Sequence, residues 1–388
     1  MHHLPYWRLS GFYFFYFAFT GAFAPYWSLY LKSLAMSAFQ IGALMSLLPV
    51  MRTFASAVWG VLADRSGQRM KIVRWSALLS LLSFCGVFLG DGFWWLFVVM
   101  GAMGFFWSAS LPLVEAATMS HLGEHIGGYG RIRLWGSVGF ILAVVGVGYV
   151  LDVMQITVLL WLVLGGKIGI AYFCQRIPES ASSAHHADHL PVWHILRRPE
   201  VAALLIACFL MALAHGPYYT FFSIYLVDHG YSKSTVGWLW ALGVICEIAI
   251  FIWLPRLLHY FSLRQILLFS FACAVLRFLL IGWGVKSVTL IVLAQVLHAA
   301  TFGSYHVAAV AVVHRFFQGR HQTKGQALYG SLSFGAGGML GAFLGGAAWD
   351  GVGSQWVFSA CSLAALLGMI LIWRKLRLEA EPHAAALA

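Results

Sequence analysis

Charge is the scarcest property of this sequence. Of 388 residues only 10% are charged and only 13 are acidic. A soluble globular domain carries about 25% charged residues. A chain of this size with so little charge could not cover a water-facing surface. That excludes a soluble enzyme, a nucleic-acid binder and a disordered chain. Polar stretches are scarce too, and the one long example runs over residues 175–200. There is no room for a separate soluble domain. The six cysteines all sit in apolar stretches and none has CxxC spacing, which argues against a disulfide framework or a zinc site. Near Arg8 no small-residue cleavage site follows a short apolar core, so the first span is expected to be retained.

What the sequence has is hydrocarbon. Hydrophobic residues make up 61% of the chain, and the mean hydropathy is +0.82. A membrane-spanning helix needs about 20 apolar residues. Twelve spans use roughly 240 residues and leave roughly 11 for each loop and end. Hydropathy windows place them at 8–31, 39–63, 71–90, 94–118, 129–151, 155–174, 201–226, 233–254, 264–284, 287–313, 325–350 and 354–373.

Basic residues set the topology. If both termini lie inside, 18 of the 24 lysines and arginines fall on or near that face, 3 fall outside and 3 are embedded. The basic balance of +11 is therefore topology and not a nucleic-acid footprint. The expected location is the plasma membrane (bacterial inner membrane), multi-pass, with both termini cytoplasmic.

The two halves repeat. SLYLKSLAMSAFQIGAL (28–44) aligns without gaps on SIYLVDHGYSKSTVGWL (223–239), at an offset of 195. LWGSV (134–138) matches LYGSL (328–332) at offset 194. A parallel repeat of six spans is the layout of transporters whose halves rock about a midplane site. The expected fold is an all-α membrane protein of twelve transmembrane helices in two six-helix pseudo-symmetric bundles. The expected organisation is 1–174 and 201–388 for the bundles, with 175–200 as a cytoplasmic linker.

Several motifs carry chemistry. GVLADRSGQRMK (60–71) follows the second span and matches the pattern G-x-L-A-D-R-x-G-R-K. Gly60 and Gly67 permit tight turns. Asp64 can sit at a helix end while Arg65 and Arg69 hold the inner surface, a clasp for one conformation of a rocking protein. The bland reading is a basic loop obeying the charge bias.

Only Glu115 and Glu247 are acids well inside spans. Such a group costs at least about 2.5–3.5 kcal/mol on insertion scales and needs a partner, a wet cavity or a proton. Glu115 and Arg133 lie equally far from the middle of the fourth loop and reach similar depth on adjacent helices. Glu247, Arg277 and His298 fall near the middle of their spans, and Gln295 shares a helical face with His298. Arg52 is equally deep in the second span. His215 and His306 are weaker candidates, and Lys167 is expected to snorkel. Tyr26, Trp27, Tyr218 and Tyr219 fit a site for a ring, or equally interfacial anchors.

Other patterns read as background. HLGEH (121–125) fits H-x-x-E-H zinc spacing, but GGYG follows at once in a short loop. HHADH (185–189) reads as solvated linker. Gly337, Gly341 and Gly345 form small-xxx-small steps for close helix packing. No cofactor and no resident metal is expected.

The whole chain resembles a major facilitator transporter. More narrowly it is similar to the phenylpropionate permease family, a relative of the lactose permease group. PYWSLYLK, YGRIRLWGSVGF, YSKSTVGWLWALGVICEIAIF and LHAATFGSYHVAA carry the resemblance, with Arg52 and Arg277 inside their spans. It implies proton-coupled uptake of a small organic solute such as an aromatic carboxylate. Glu115 and Arg133 fall where the lactose group has its sugar-binding acid–arginine pair. Arg277 and His298 fall where it has two members of its coupling network. Gln295 stands where that network has a lysine, Thr301 where it has its later acid, and Glu247 lies one turn from the other acid.

The expected solute site is therefore Arg52, Glu115, Arg133, Tyr26 and Tyr219. The expected proton-coupling set is Glu247, Arg277, His298 and Gln295. Arg52, Arg133 and Arg277 outnumber the embedded acids, which favours an anionic solute. The expected partners are a small solute, protons and the lipid bilayer, with no nucleic acid and a monomeric chain. The alternatives are a sugar or nucleoside symporter, an exporter, or a receptor or scaffold without flux.

Overall fold

The computed structural model describes residues 4–123, 125–179 and 192–377. Twelve long helices account for almost all of it. They are α1 (Tyr6–Ser33), α2 (Ala38–Ser66), α3 (Arg69–Phe88), α4 (Phe93–Leu122), α5 (Tyr129–Val153) and α6 (Val158–Arg176), followed by α7 (Pro199–Asp228), α8 (Lys233–Tyr260), α9 (Leu263–Gly284), α10 (Val288–Phe316), α11 (Gln322–Val352) and α12 (Ser354–Lys375). Eleven are long and apolar enough to cross a membrane by hydropathy alone. The remaining one, α1, has 28 residues rich in tyrosine, phenylalanine and tryptophan, and aromatic rings with polar tips score low on such scales. A short helix, Trp193–Leu196, precedes α7.

The chain folds into two six-helix bundles. α1 packs on α5 and α6, α2 on α4, and α3 on α4 and α6. In the second bundle α7 packs on α11 and α12, α9 on α12, and α8 and α9 on α10. Glycine lets α11 lie against α7: a Cβ on Gly337 would lie 2.7 Å from the carbonyl of Phe209, and one on Gly345 would lie 2.9 Å from Pro217. That matches the small-residue spacing in the sequence.

Turn chemistry repeats at the sequence offset. Ser37 caps α2 and accepts from the Gln40 amide, and Ser232 caps α8 and accepts from the Thr235 amide. The residue two before each cap is left-handed: Ala35 at φ 57° and Gly230 at φ 88°. Each pair is separated by 195 positions.

The bundles meet along α2–α11, α5–α8 and α1–α7. Hydrogen bonds between them, among the described residues, cluster at the end that holds the α1–α2 and α7–α8 loops. This end is called the seam. Tyr26 Oη donates to the carbonyl of Val144 at 2.7 Å and lies 3.1 Å from that of Lys233. Lys32 pairs with Asp228. Asp152 accepts from the amides of Lys233 (2.7 Å) and Ser234 (3.1 Å). Asp350 accepts from the Ala38 amide at 3.3 Å. Backbones touch here as well: a Cβ on Gly42 would lie 2.9 Å from Gly346, and one on Gly148 would lie 2.9 Å from Ser234.

Candidate functional site

A cavity of about 250 Å³ lies between the bundles, walled by α1, α2, α4, α7, α10 and α11. Its walls are aromatic: Phe19, Phe23, Trp107, Tyr219, Phe302, Tyr305 and Phe334 line it. Its polar groups are Arg52, His215 and the hydroxyls of Thr20, Thr220, Thr301 and Ser333, alongside Tyr219 and Tyr305. No carboxylate lines it among the described residues.

Local backbone form brings two of these walls inward. Ala299–Ser304 in α10 and Ser331–Gly337 in α11 are π-helical. Such wide turns often mark functional positions. Here they carry Thr301, Phe302, Ser333 and Phe334 to the cavity. A second hollow of about 440 Å³ lies at the opposite end from the seam, around Gln68, Lys71, Arg74 and Glu179. It belongs to the first bundle and the segment that follows it, so it does not bridge the halves.

Arg277 is fully buried behind the cavity wall. Its Nε donates to the Ala294 carbonyl at 3.0 Å, and its Nη2 to Gln295 Oε1 at 3.3 Å. Nη1 donates to His215 Nε2 at 3.2 Å and to Thr301 Oγ1 at 3.4 Å. Its guanidinium lies 4.1 Å from the centre of the Tyr218 ring. These partners are all neutral or aromatic. His215 Nδ1 lies 2.8 Å from the Met211 carbonyl. A carbonyl can only accept and an arginine can only donate, so His215 carries its proton on Nδ1 and receives Arg277 on Nε2. Sequence reasoning ranked His215 below His298, yet His215 holds the arginine. His298 is buried, stacks on Phe302 at 5.5 Å, and its Nδ1 has no protein partner. Gln295 Nε2 is likewise without one.

Arg133 lies over the Phe17 ring at 3.9 Å, with Tyr13 at 5.7 Å. A side chain on Gly136 would occupy that place, its Cβ lying 2.8 Å from Arg133 Nη1. Glu115 accepts from the Tyr129 hydroxyl at 3.4 Å. Glu115 and Arg133 act on each other electrostatically, but they form no direct ion pair in the described structure. Glu247 packs against Gly303, where a Cβ would lie 3.3 Å from its Cγ. Arg133, from the other bundle, is near enough for its charge to act on Glu247. Among the described residues no ion pair joins Glu247 to Arg277, which the sequence puts in the same proton-coupling set.

Lys167 departs from the sequence expectation. It does not snorkel but is 2% exposed, with its Nζ donating to Ser80 Oγ at 2.8 Å. Aromatic faces meet Nζ, Phe19 at 4.2 Å and Trp107 at 5.3 Å, so the bundle interior is an alternative to the membrane surface. Tyr26 sits in the seam and does not line the cavity, whereas Tyr219 does. The 60–71 motif is not the loop expected from sequence: α2 runs to Ser66, Gly67 ends it in a left-handed conformation at φ 64°, and α3 begins at Arg69, with Asp64, Arg65, Gly67 and Gln68 exposed. Met70 donates its amide to Glu179 at 3.0 Å. The 185–189 histidine run and Glu124 of HLGEH lie outside the described residues. Among those described, no three potential ligands converge on a metal position.

A family model described as the MFS_1 like family matches residues 6–360. The chain belongs to that family. It is a major facilitator transporter of small solutes in a membrane, and its relatives are transporters and not enzymes. It is 32% identical over 337 residues to the "Probable 3-phenylpropionic acid transporter" of Escherichia coli (strain K12), covering 85% of this chain and 87% of the relative. It is 27% identical over 385 residues to the maltose permease of Geobacillus stearothermophilus, covering 95% of each. Among solved structures, the nucleoside transporter NupG superposes with a TM-score of 0.84 at 16% identity, over 96% of this chain and 99% of that one. At that identity the likeness is one of fold.

Proposed function

We propose that this transporter is a proton symporter for small aromatic carboxylates of the phenylpropionate type. The observation that carries the reading is the cavity itself: aromatic walls, Arg52 over the Trp107 ring at 5.5 Å, and no acid in the lining. A phenyl ring stacks on such walls and a carboxylate needs the cation. The similarity to the phenylpropionic acid relative points the same way.

In this reading residues 1–174 and 201–388 rock about the cavity, and 175–200 links them. The protein is a monomer in the bacterial inner membrane with both termini cytoplasmic. The seam is then the closed outer gate, and the α2–α3 turn at Gly67 and Gln68 faces the cytoplasm. Arg52 and Tyr219 hold the solute. Glu115 and Arg133 set the charge on the first-bundle side. Glu247 carries the proton, with Arg133 as the charge that answers it. Arg277, held by Gln295 beside His298, forms the buried polar cluster that reorganises as the halves move. Symport of one proton with one carboxylate moves no net charge, so the pH gradient drives it, and each pH unit, about 1.4 kcal/mol, supports about tenfold accumulation.

A sugar or nucleoside symporter is the second reading. The threonine and serine hydroxyls of the cavity favour it, as does the maltose permease relative. A thermal-shift screen of purified protein separates the two. Aromatic acids should raise the melting temperature, and maltose and nucleosides should not. The reverse pattern would move the assignment to the neutral solutes. Counterflow of a labelled solute tests the remaining possibility of a receptor without flux.

A further inference from the structure

Four serine and threonine hydroxyls line the cavity, and three of them already donate within their own helix. Thr20 Oγ1 donates to the Tyr16 carbonyl at 3.0 Å, Thr220 Oγ1 to that of Gly216 at 3.0 Å, and Thr301 Oγ1 to that of His298 at 3.3 Å. Such back-bonding is common for these side chains inside helices. Ser333 makes no such bond. It lines the cavity from the π turn of α11, it is 1% exposed, and its Oγ has no hydrogen-bond partner among the described residues. A buried hydroxyl left unbonded is costly. The other unbonded hydroxyl of the lining, on Tyr305, has Cys208 and Tyr329 beside it.

Arg52 stands at the same end of the cavity, on the other bundle. Of the residues that α2 gives to the lining, from Met45 to Arg52, Arg52 lies farthest from the seam. Of those that α11 gives, from Ser333 to Ala342, Ser333 lies farthest from the seam. The two helices touch at this depth. The Thr53 side chain occupies the place that a Cβ on Gly335 would take, and Pro49 lies 3.9 Å from the place of one on Gly338. Arg52 is one residue from the Thr53–Gly335 contact and Ser333 is two. At about 1.5 Å per residue the pair differs in depth by no more than about 5 Å. Arginine keeps its charge in proteins, and among the described residues no acid pairs with Arg52.

We infer that Ser333 is a solute-binding residue: its hydroxyl donates to the same carboxylate that Arg52 holds from the other bundle. The inference rests on the carboxylate reading of the cavity. An ionised carboxylate accepts at about four lone-pair positions. A guanidinium on one side leaves positions open to a serine on the other. Hydrogen bonds to an ionised acceptor are short and strong. The three threonines cannot take this part, because their protons are already placed on backbone carbonyls. Held in this way, the solute ties α2 to α11 at the end of the cavity away from the seam. Its ring is left to the wall of Phe19, Phe23 and Tyr219.

The test compares binding of 3-phenylpropionate with that of 3-phenylpropanol, which lacks the carboxylate, to wild type and Ser333→Ala. Both proteins are purified and checked for monodispersity. Ser333→Cys, a weak donor of similar shape, stands in if the alanine variant does not fold. Ser333→Ala should weaken binding of the acid by about tenfold or more, and that of the alcohol by no more than about threefold. The melting temperature of the solute-free protein should not fall, because no bond within the protein is lost. Acid affinity kept within about twofold of wild type would overturn the inference. An equal loss of both ligands would overturn it too, since that marks a packing role, and so would a lower solute-free melting temperature, which marks a bond inside the protein. If wild type binds maltose or a nucleoside and not 3-phenylpropionate, the carboxylate reading fails first and the role of Ser333 falls with it.

Discussion

Asp152 and Asp350 make the same contact on opposite edges of the seam. Each stands near the C-terminal end of the fifth helix of its bundle and accepts from a backbone amide at the start of the other bundle's second helix. Each lies four residues after a glycine, Gly148 or Gly346, on which that second helix rests. On those second helices Gly42 rests on Ala342 and Gly346, and Gly237, 195 positions later, rests on the carbonyl of Val144. The seam is one device used twice, as expected of a duplicated bundle.

An acceptor at a helix N-terminus contributes about 0.5–2 kcal/mol. Replacing both aspartates by alanine should therefore shift the equilibrium toward an open seam, with each single variant giving about half the effect. Spin labels at Ser33→Cys and His229→Cys, read by pulsed electron resonance, should report a longer distance population in the double variant. An unchanged distribution would show that the remaining contacts, the Lys32–Asp228 pair, Tyr26 and the glycine approaches, are enough to close this end.

Ala35 holds a left-handed backbone that its counterpart Gly230 adopts without strain. An L-residue other than glycine loses roughly 1–2 kcal/mol there. Ala35→Gly should raise the melting temperature in detergent, offset in part by greater freedom of the unfolded chain. Gly230→Ala should lower it by a comparable amount.

These repeats were legible because hydropathy, caps and glycine are local signals. The twelve helices followed from apolar runs, and the 195 offset found in sequence recurs in Ser37 and Ser232, Ala35 and Gly230, and Gly42 and Gly237. Side-chain destinations were not legible in the same way. Lys167 sits nine residues into α6, where a lysine can reach a surface or an aromatic interior, and only the positions of Phe19, Ser80 and Trp107 decide between them. Tyr26 looked like a ring-binding residue because its aromatic neighbourhood does not reveal that its hydroxyl meets α5 and α8. The π turns of α10 and α11 rest on hydrogen-bond register. Their only trace in sequence is a run of small residues around Gly303 and Gly335. His215 needed its Arg277 partner from another helix to stand out.

His215 supplies Arg277 with an acceptor that few residues could replace. Its loss leaves a buried guanidinium one bond short, at a cost of about 1–3 kcal/mol. His215→Leu should lower stability and transport together. His215→Gln, which can offer an oxygen to Arg277, should retain more of both. Thermal unfolding and counterflow rates on the same preparations check this.

Glu247 is the acid assigned to the proton. Glu247→Gln should reduce pH-gradient-driven accumulation by about tenfold or more while leaving exchange of solute across the membrane intact. Accumulation at the wild-type level would remove Glu247 from the coupling path. Arg133→Ala should weaken solute binding, and a variant that binds normally would take Arg133 out of the site.

Uptake of labelled 3-phenylpropionate into proteoliposomes under an imposed inward proton gradient measures whether the acid-free aromatic cavity carries an organic anion together with a proton. Accumulation should rise above the external level, be abolished by a protonophore and go uncompeted by maltose or nucleosides. Equal uptake with and without the gradient, or competition by the neutral solutes alone, would rule out coupled anion transport.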